Sequence, residues 1–315
     1  SLVNALVALL ASGGSTNHCI HLIAIARAAG YTMNWSDFDA VSRVTPLIAK
    51  IYPNGSADIN HFHAAGGTGY LFSTLLDAGL MHGDAKTCFR DNFADFAVEP
   101  LVNGDKLSWR PGAKESLNPE VLTRIDTPFK DEGGVRLLAG NLGRSVIKVS
   151  AVDESHWRVH GPAVVIDSQN DLKPLFDAGE LNRDCVVVVR FQGPAANGMP
   201  ELHKLTPMLG VLQDKGFKVA LVTDGRMSGA SGKVPSAIHL TPEAKVGGVL
   251  GKVRNGDLIT LDAHTGALTL HVDEDTLAAR TQDPTPLEPV TVGRNLFANS
   301  RAVVSDAESG ASFLF

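Results

Sequence analysis

The sequence predicts an α/β protein: a helical stretch followed by a β-rich region organised around a β-α-β unit. Two observations carry that expectation. From residue 2 to about residue 83 apolar positions recur at helical spacing between readable caps and stops. Beyond residue 130 the period changes to short β-branched runs, one of them with four consecutive valines, as expected of strands buried on both faces. At 315 residues the chain is long enough for two domains, and the change of period places their boundary near 130.

The elements follow in order. Leu2 to Ala11 is an apolar run too short to span a bilayer and without the basic start of a signal peptide, so it reads as a buried helix. Ser15, Thr16 and Asn17 are candidate caps for a helix over 20–29 that Gly30 stops. Ser36 and Asp39 form a capping-box-like pair opening a second helix that Pro46 ends, and a third spans 68–78 before Gly79. Residues 84–132 are polar and broken by Pro100, Pro111, Pro119 and Pro128. Strands are expected at 146–152, 163–167, 185–191 and 218–222, with a helix over 200–215 between the last two. The alternating run 257–262, a turn at 264–266 and the run 267–272 read as a β-hairpin.

Composition narrows the function. With 34 acidic against 28 basic side chains, a formal charge of -6 and no Lys/Arg-rich run, nucleic acid is excluded as the expected partner. No stretch suits a membrane. Three cysteines, Cys19, Cys88 and Cys185, are an odd number without C-x-x-C spacing, which fits a reducing cytoplasm rather than a disulfide framework or a local zinc site. The chain starts at Ser1 and enters an apolar run at once, which suggests a piece of a longer protein.

The densest chemistry lies in 222–233, where an expected strand end is followed by three glycines, two serines, an acid and two cations. Such a loop can turn successive N–H groups onto an anion beside a serine hydroxyl. It is not a P-loop, because Met227 and Val234 stand where Gly and Ser or Thr are needed. Nor is it a nucleophile elbow, since Arg226 and Lys233 occupy glycine positions. A bland turn with exposed serines is the competing reading. The preceding loop, 192–201, puts Glu201 in the first turn of the expected helix, either as simple dipole stabilisation or as a hard oxygen ligand for Mg²⁺. His18 with His21, and His61 with His63, could each share a metal, yet neither pair has a third ligand at recognisable spacing, and a polar helix face or loop hydrogen bond explains them as well. By charge and loop chemistry, Arg226, Lys233 and the amides near Ser15 are the candidates for an anionic substrate.

Three blocks, "GGSTNH" at 13–18, "GPAANGMPELHKL" at 193–205 and "VTDGRMSGASGKVPSAIHLTPEA" at 222–244, resemble the iron–sulfur dihydroxy-acid/6-phosphogluconate dehydratase family. The segments "SGASGKVPSAIH" and "INHFHAAGGTG" are most similar to its phosphogluconate branch. The likeness covers nearly the whole chain but only the C-terminal half of such a protein. It implies residues 1–130 as the last part of an α/β N-terminal domain and residues 131–315 as a β-barrel-like swivelling domain, with the active site between domains and at a homodimer interface. It implies a hydro-lyase that converts 6-phospho-D-gluconate to 2-dehydro-3-deoxy-6-phospho-D-gluconate in the Entner–Doudoroff pathway. Ser228 matches the serine that takes the C2 proton, and Glu201 matches a Mg²⁺ ligand. The ligands of the 4Fe–4S cluster lie in the half absent here, so the isolated chain is expected to be inactive. Another dihydroxy or sugar acid as substrate, or a silent fragment that only binds substrate or a partner subunit, are the alternatives.

Overall fold

The computed structural model describes residues 1–88, 90–227, 232–286 and 292–315. They divide into two compact units, one made of Ser1–Ser15 with Phe38–Gly134, the other of Thr16–Asp37 with Val135–Phe315. None of the described helices is long and apolar enough to cross a membrane.

The first unit is helical. Helix α1 (Leu2–Ser12) buries Leu6, Val7, Leu9 and Leu10 and stops at Gly13, whose φ of 61° suits a residue without a side chain. Between α2 (His18–Ala28) and α3 (Trp35–Ser42), which begin in the other unit, the cap differs from expectation. Asn34 Oδ1 accepts from the Ser36 N–H at 2.9 Å and Asp37 Oδ2 accepts from the Asn34 N–H at 2.8 Å, so the box sits two residues earlier. The Ser36 hydroxyl is engaged elsewhere, accepting from Arg144 at 2.9 Å. Helix α4 (Ile59–Ala64), absent from the sequence reading, is capped by Asp58, whose side chain accepts from the N–H groups of Asn60 and His61. It leads into α5 (Gly67–Asp77), and Phe62, Tyr70, Leu71 and Leu75 share a core with Val7 and Ala11 of α1.

The polar stretch after α5 also holds a hairpin the sequence reading passed over, β1 (Val98–Asn103) and β2 (Lys106–Pro111). Its two-residue turn carries Gly104 at φ 62°.

The second unit is a closed eight-stranded barrel, as the likeness implies. Its strands are β3 (Val135–Gly140), β4 (Gly143–Lys148), β5 (Arg158–Ile166), β6 (Cys185–Val189), β7 (Val219–Thr223), β8 (Ser236–Thr241), β9 (Leu258–Asp262) and β10 (Ala267–Leu270), in the order β10-β3-β4-β8-β7-β6-β5-β9. Strands β5 to β8 run parallel, whereas β3, β4, β9 and β10 close the wall mainly through antiparallel pairs. The four valines of β6 have no exposed surface, which is why that run shows no polar alternation. Val186 and Val188 meet Ala220, Val222, Ile259 and Leu261 in the barrel core. The expected β9–β10 hairpin is present.

The crossovers of the parallel half are helical: α6 (Leu172–Asp177) after β5, then α7 (Pro194–Asn197) and α8 (Leu205–Asp214) between β6 and β7. Helix α8 starts five residues later than the sequence suggests. Met199 at φ 52° and an extended Glu201 precede it. Helices α9 (Glu274–Ala279), α10 (Val292–Leu296) and α11 (Ala298–Val303) complete the chain.

Candidate functional site

Because β6 and β7 are parallel neighbours, the loops leaving their C-terminal ends emerge at one edge of the barrel. Asp224, directly after β7, ties them together. Its carboxylate is fully buried and accepts from the N–H groups of Phe191 at 3.2 Å, Gln192 at 2.8 Å and Ala244 at 2.9 Å. Burial lifts its pKa to about 6 against the pull of those donors. Glu243 does the same one loop further on, accepting from the Ala195 N–H at 3.0 Å and 3.2 Å. Burial, and then the charge of Asp224, push it up to about 7. A Cβ on Gly193 would collide with the Glu243 side chain down to its Cβ, so the loop needs glycine there. Sequence reasoning gave neither acid a role. For Asp224 the available signal was an acid just after an expected strand; Glu243 follows β8, which the sequence did not suggest.

Glu201 and Arg226 meet across the two loops. They form a parallel backbone bridge, and Leu202 N–H donates to the Arg226 carbonyl at 3.2 Å. Arg226 Nη1 donates to Glu201 Oε2 at 2.7 Å and Nε to the Met199 carbonyl at 2.7 Å. Glu201 therefore stands ahead of α8 in an extended segment, which removes the helix-dipole explanation for it. Ser228, two residues beyond Arg226, lies outside the described residues, as does Ser231. Lys233 is exposed, and its carbonyl accepts from Gln213 at 3.2 Å. Ser15 is half-buried in the turn after α1 and belongs to the first unit. Its neighbour Thr16 opens the segment assigned to the barrel unit and donates its hydroxyl to the Met227 carbonyl at 3.0 Å.

The backbone is unusual at this edge. Phe191, Met199 and His239 hold φ values of 59°, 52° and 62°, where side chains are disfavoured. Such conformations persist only when their surroundings enforce them, and they cluster at functional sites. His239 donates its backbone N–H to Gly225 at 2.9 Å, while its buried ring has no hydrogen-bond partner among the described residues. Burial, followed by the charges of Arg226 and His21, lowers its pKa to about 3, so it is neutral.

A cavity of about 630 Å³ opens beside this edge. Its wall includes His21, Met199, Arg226, Arg294, Phe297 and Arg301, and no carboxylate among the described residues. Arg294 Nη1 donates to Asn197 Oδ1 at 2.6 Å, and Arg301 Nη2 donates to the Arg294 carbonyl at 3.0 Å. Burial, and secondarily the charge of Arg301, depress the Arg294 pKa. Three guanidiniums on one cavity wall suit an anionic ligand. Sequence reasoning found Arg226 alone, since the other two lie far along the chain in no recognisable motif.

Metal-binding capacity is limited. Among the described residues no group of three His, Cys, Asp or Glu side chains could hold a metal ion. His21 lines the cavity, and His61 serves α4, its Nδ1 standing 2.8 Å from Asp58 Oδ1. Cys19 and Cys185 are buried and Cys88 is exposed, and none of the three forms a disulfide.

Comparison with known proteins gives this geometry a family. The family model described as dihydroxy-acid/6-phosphogluconate dehydratase C-terminal matches residues 120–311, and its N-terminal counterpart matches residues 1–96. The phosphogluconate dehydratase of Escherichia coli (strain K12) is 56% identical over 313 residues, covering 99% of this chain and 52% of that protein. That of Pseudomonas aeruginosa is 54% identical over 312 residues, with 99% and 51% covered. A dihydroxy-acid dehydratase of Pyrobaculum neutrophilum is 37% identical over 317 residues, with 99% and 53% covered. The chain spans about half the length of the curated relatives it matches. The barrel, the joined strand-end loops and these matches agree: the chain belongs to the dihydroxy-acid/6-phosphogluconate dehydratase family.

Proposed function

We propose that this chain serves an enzyme that dehydrates 6-phospho-D-gluconate to 2-dehydro-3-deoxy-6-phospho-D-gluconate, a hydro-lyase of the Entner–Doudoroff pathway acting as a cytoplasmic homodimer. The higher identity to relatives named phosphogluconate dehydratase favours this substrate over a dihydroxy acid. The observation that carries the reading is the Glu201–Arg226 pair at 2.7 Å, which joins the two strand-end loops where Arg226 lines an arginine-walled cavity.

The Ser228 hydroxyl oxygen, two residues beyond Arg226, takes the C2 proton. The C2–H electrons form the C2=C3 bond, the C3 hydroxyl leaves as water on receiving a proton, and the resulting enol ketonises at C2. A serine needs neighbouring positive charge to act as a base, and Arg226, two positions earlier in the sequence, is the candidate for part of it. Arg226 is the substrate-binding candidate on the cavity wall, while Lys233 and Ser15 rest on charge and loop chemistry. Glu201 is suited to be one oxygen ligand of Mg²⁺. The further Mg²⁺ ligands and the ligands of a 4Fe–4S cluster are assigned to the part of the enzyme beyond this chain, in keeping with the lack of a three-residue His, Cys, Asp or Glu group among the described residues. When bound, those groups supply charge stabilisation at the substrate carboxylate and Lewis acidity at the departing hydroxyl.

The test uses the full-length protein with its iron and Mg²⁺. Ser228→Ala is expected to lower kcat by about 10²- to 10⁴-fold with iron content unchanged. Activity within a few-fold of wild type refutes the serine base. A preference for 2,3-dihydroxy-3-methylbutanoate over 6-phosphogluconate moves the enzyme to the other branch of the family. Turnover by the isolated chain, free of iron, overturns the placement of the cluster elsewhere.

A further inference from the structure

Arg226 and the other two arginines of the cavity differ in how they are held. Arg226 is engaged by Glu201 and the Met199 carbonyl, next to the proposed chemistry. Arg294 and Arg301 come from α10 and α11, remote in sequence from those loops, yet they share the cavity wall with it. Arg294 is held against α7, its Nη1 donating to Asn197 Oδ1 at 2.6 Å and to the Asn197 carbonyl at 3.4 Å and its Nη2 to the Ala196 carbonyl at 3.4 Å, while Arg301 Nη2 donates to the Arg294 carbonyl at 3.0 Å. Two guanidiniums so placed repel one another, and a dianion between them converts that repulsion into attraction. A guanidinium fork can match two phosphate oxygens, and of the two it is Arg301, held through Nη2, that is better placed to do so, with Arg294 adding charge beside it. The cavity, about 630 Å³, lies within the range that encloses small ligands.

We infer that Arg294 and Arg301 form the receptor for the terminal phosphate of the substrate, leaving Arg226 and Glu201 to the carboxylate end. This rests on the proposed dehydration of a phosphorylated sugar acid and adds what selects it. A six-carbon acid phosphate is charged at both ends, and the cavity offers cations from two separate parts of the chain. A dihydroxy acid carries only the carboxylate and leaves the α10–α11 pair unused. The device thus accounts for discrimination within the family by side chains that take no part in the bond changes.

The test measures the affinity of the full-length holoenzyme for 6-phosphogluconate and for D-gluconate by calorimetry, in wild type, Arg301→Gln and Arg301→Lys, with melting temperatures recorded alongside. Arg301→Gln is expected to weaken phosphogluconate binding about 10- to 100-fold, the loss of a charge-assisted bidentate contact, while gluconate affinity stays within about 2-fold. Arg301→Lys, which keeps the charge but not the fork, should fall between and decides the matter if the Gln variant does not fold. An equal loss for both ligands, an unchanged phosphogluconate affinity, or a wild type that binds the two alike overturns the receptor. Phosphate-selective binding that depends on Arg301, in an enzyme that yields no 2-dehydro-3-deoxy product, would instead refute the proposed reaction and leave the receptor standing.

Discussion

Two sets of carboxylates lie at the same barrel edge and are treated in opposite ways. Asp224 and Glu243 are withdrawn from solvent and turned onto backbone amides, whereas Glu201 keeps 30% of its side-chain surface and faces the guanidinium of Arg226. An acid that accepts from three amides of neighbouring loops sets where those loops run. An acid paired with a part-exposed cation can exchange that partner for a ligand. The first kind is suited to support and the second to chemistry, although all three follow parallel strands.

Substitution separates the two roles. The largest effect is expected from Asp224→Ala, which leaves the buried N–H groups of Phe191, Gln192 and Ala244 without their acceptor and should cost about 3–5 kcal/mol in urea denaturation. A loss below about 1 kcal/mol would mean that the carboxylate does not hold the loops. Glu201→Gln should reverse the pattern. Activity of the full-length enzyme is expected to drop about 100-fold with little change in melting temperature, because a half-exposed ion pair stabilises weakly. A large fall in melting temperature with activity retained would put Glu201 in the supporting class.

The buried acids also predict a direction with pH. Their pKa values are raised, Asp224 from an ordinary 3.8 to about 6 and Glu243 from 4.5 to about 7, so the folded chain holds their protons more tightly than the unfolded one. That contribution is fully present below the lower values and is lost as pH climbs through 6 and 7. Melting temperatures should decline from pH 5 to pH 8, and Glu243→Gln should flatten the upper part of the decline; an unaltered slope in that variant excludes Glu243 as its source. The smallest effect belongs to Thr16→Val, which removes the 3.0 Å bond to the Met227 carbonyl and should cost about 1 kcal/mol. No change would show that this tie does not help seat the loop carrying Arg226.

Legibility varied with the range of the interaction. The parallel core strand with its four valines, the hairpin of β9 and β10 and the glycine stops at Gly30 and Gly79 were readable because period, turn residues and caps act within a few positions. The hairpin of β1 and β2 was equally local, yet its Asn-Gly-Asp signal at 103–105 was masked by prolines that suggested no element at all. Capping by Asn34 instead of Ser36 depended on Arg144, more than a hundred residues away, taking the serine hydroxyl. The candidate site was half legible. The loops at 192–201 and 222–233 stood out by composition, but nothing local indicated Arg294, Arg301 or Glu243.

Residue order sets the local preferences: where apolar period favours helix or strand, where glycine permits a close turn, and which loops are rich enough in donors and acids to do chemistry. Tertiary structure alone decided which of those acids would be buried and which would meet a cation, and which distant arginines would share a cavity with them. The physical reason is that burial and electrostatic pairing are properties of neighbours in space. Packing around the eight-stranded barrel brings together residues far apart in the chain, 211 positions for Thr16 and Met227 and 282 for Arg27 and Ser309.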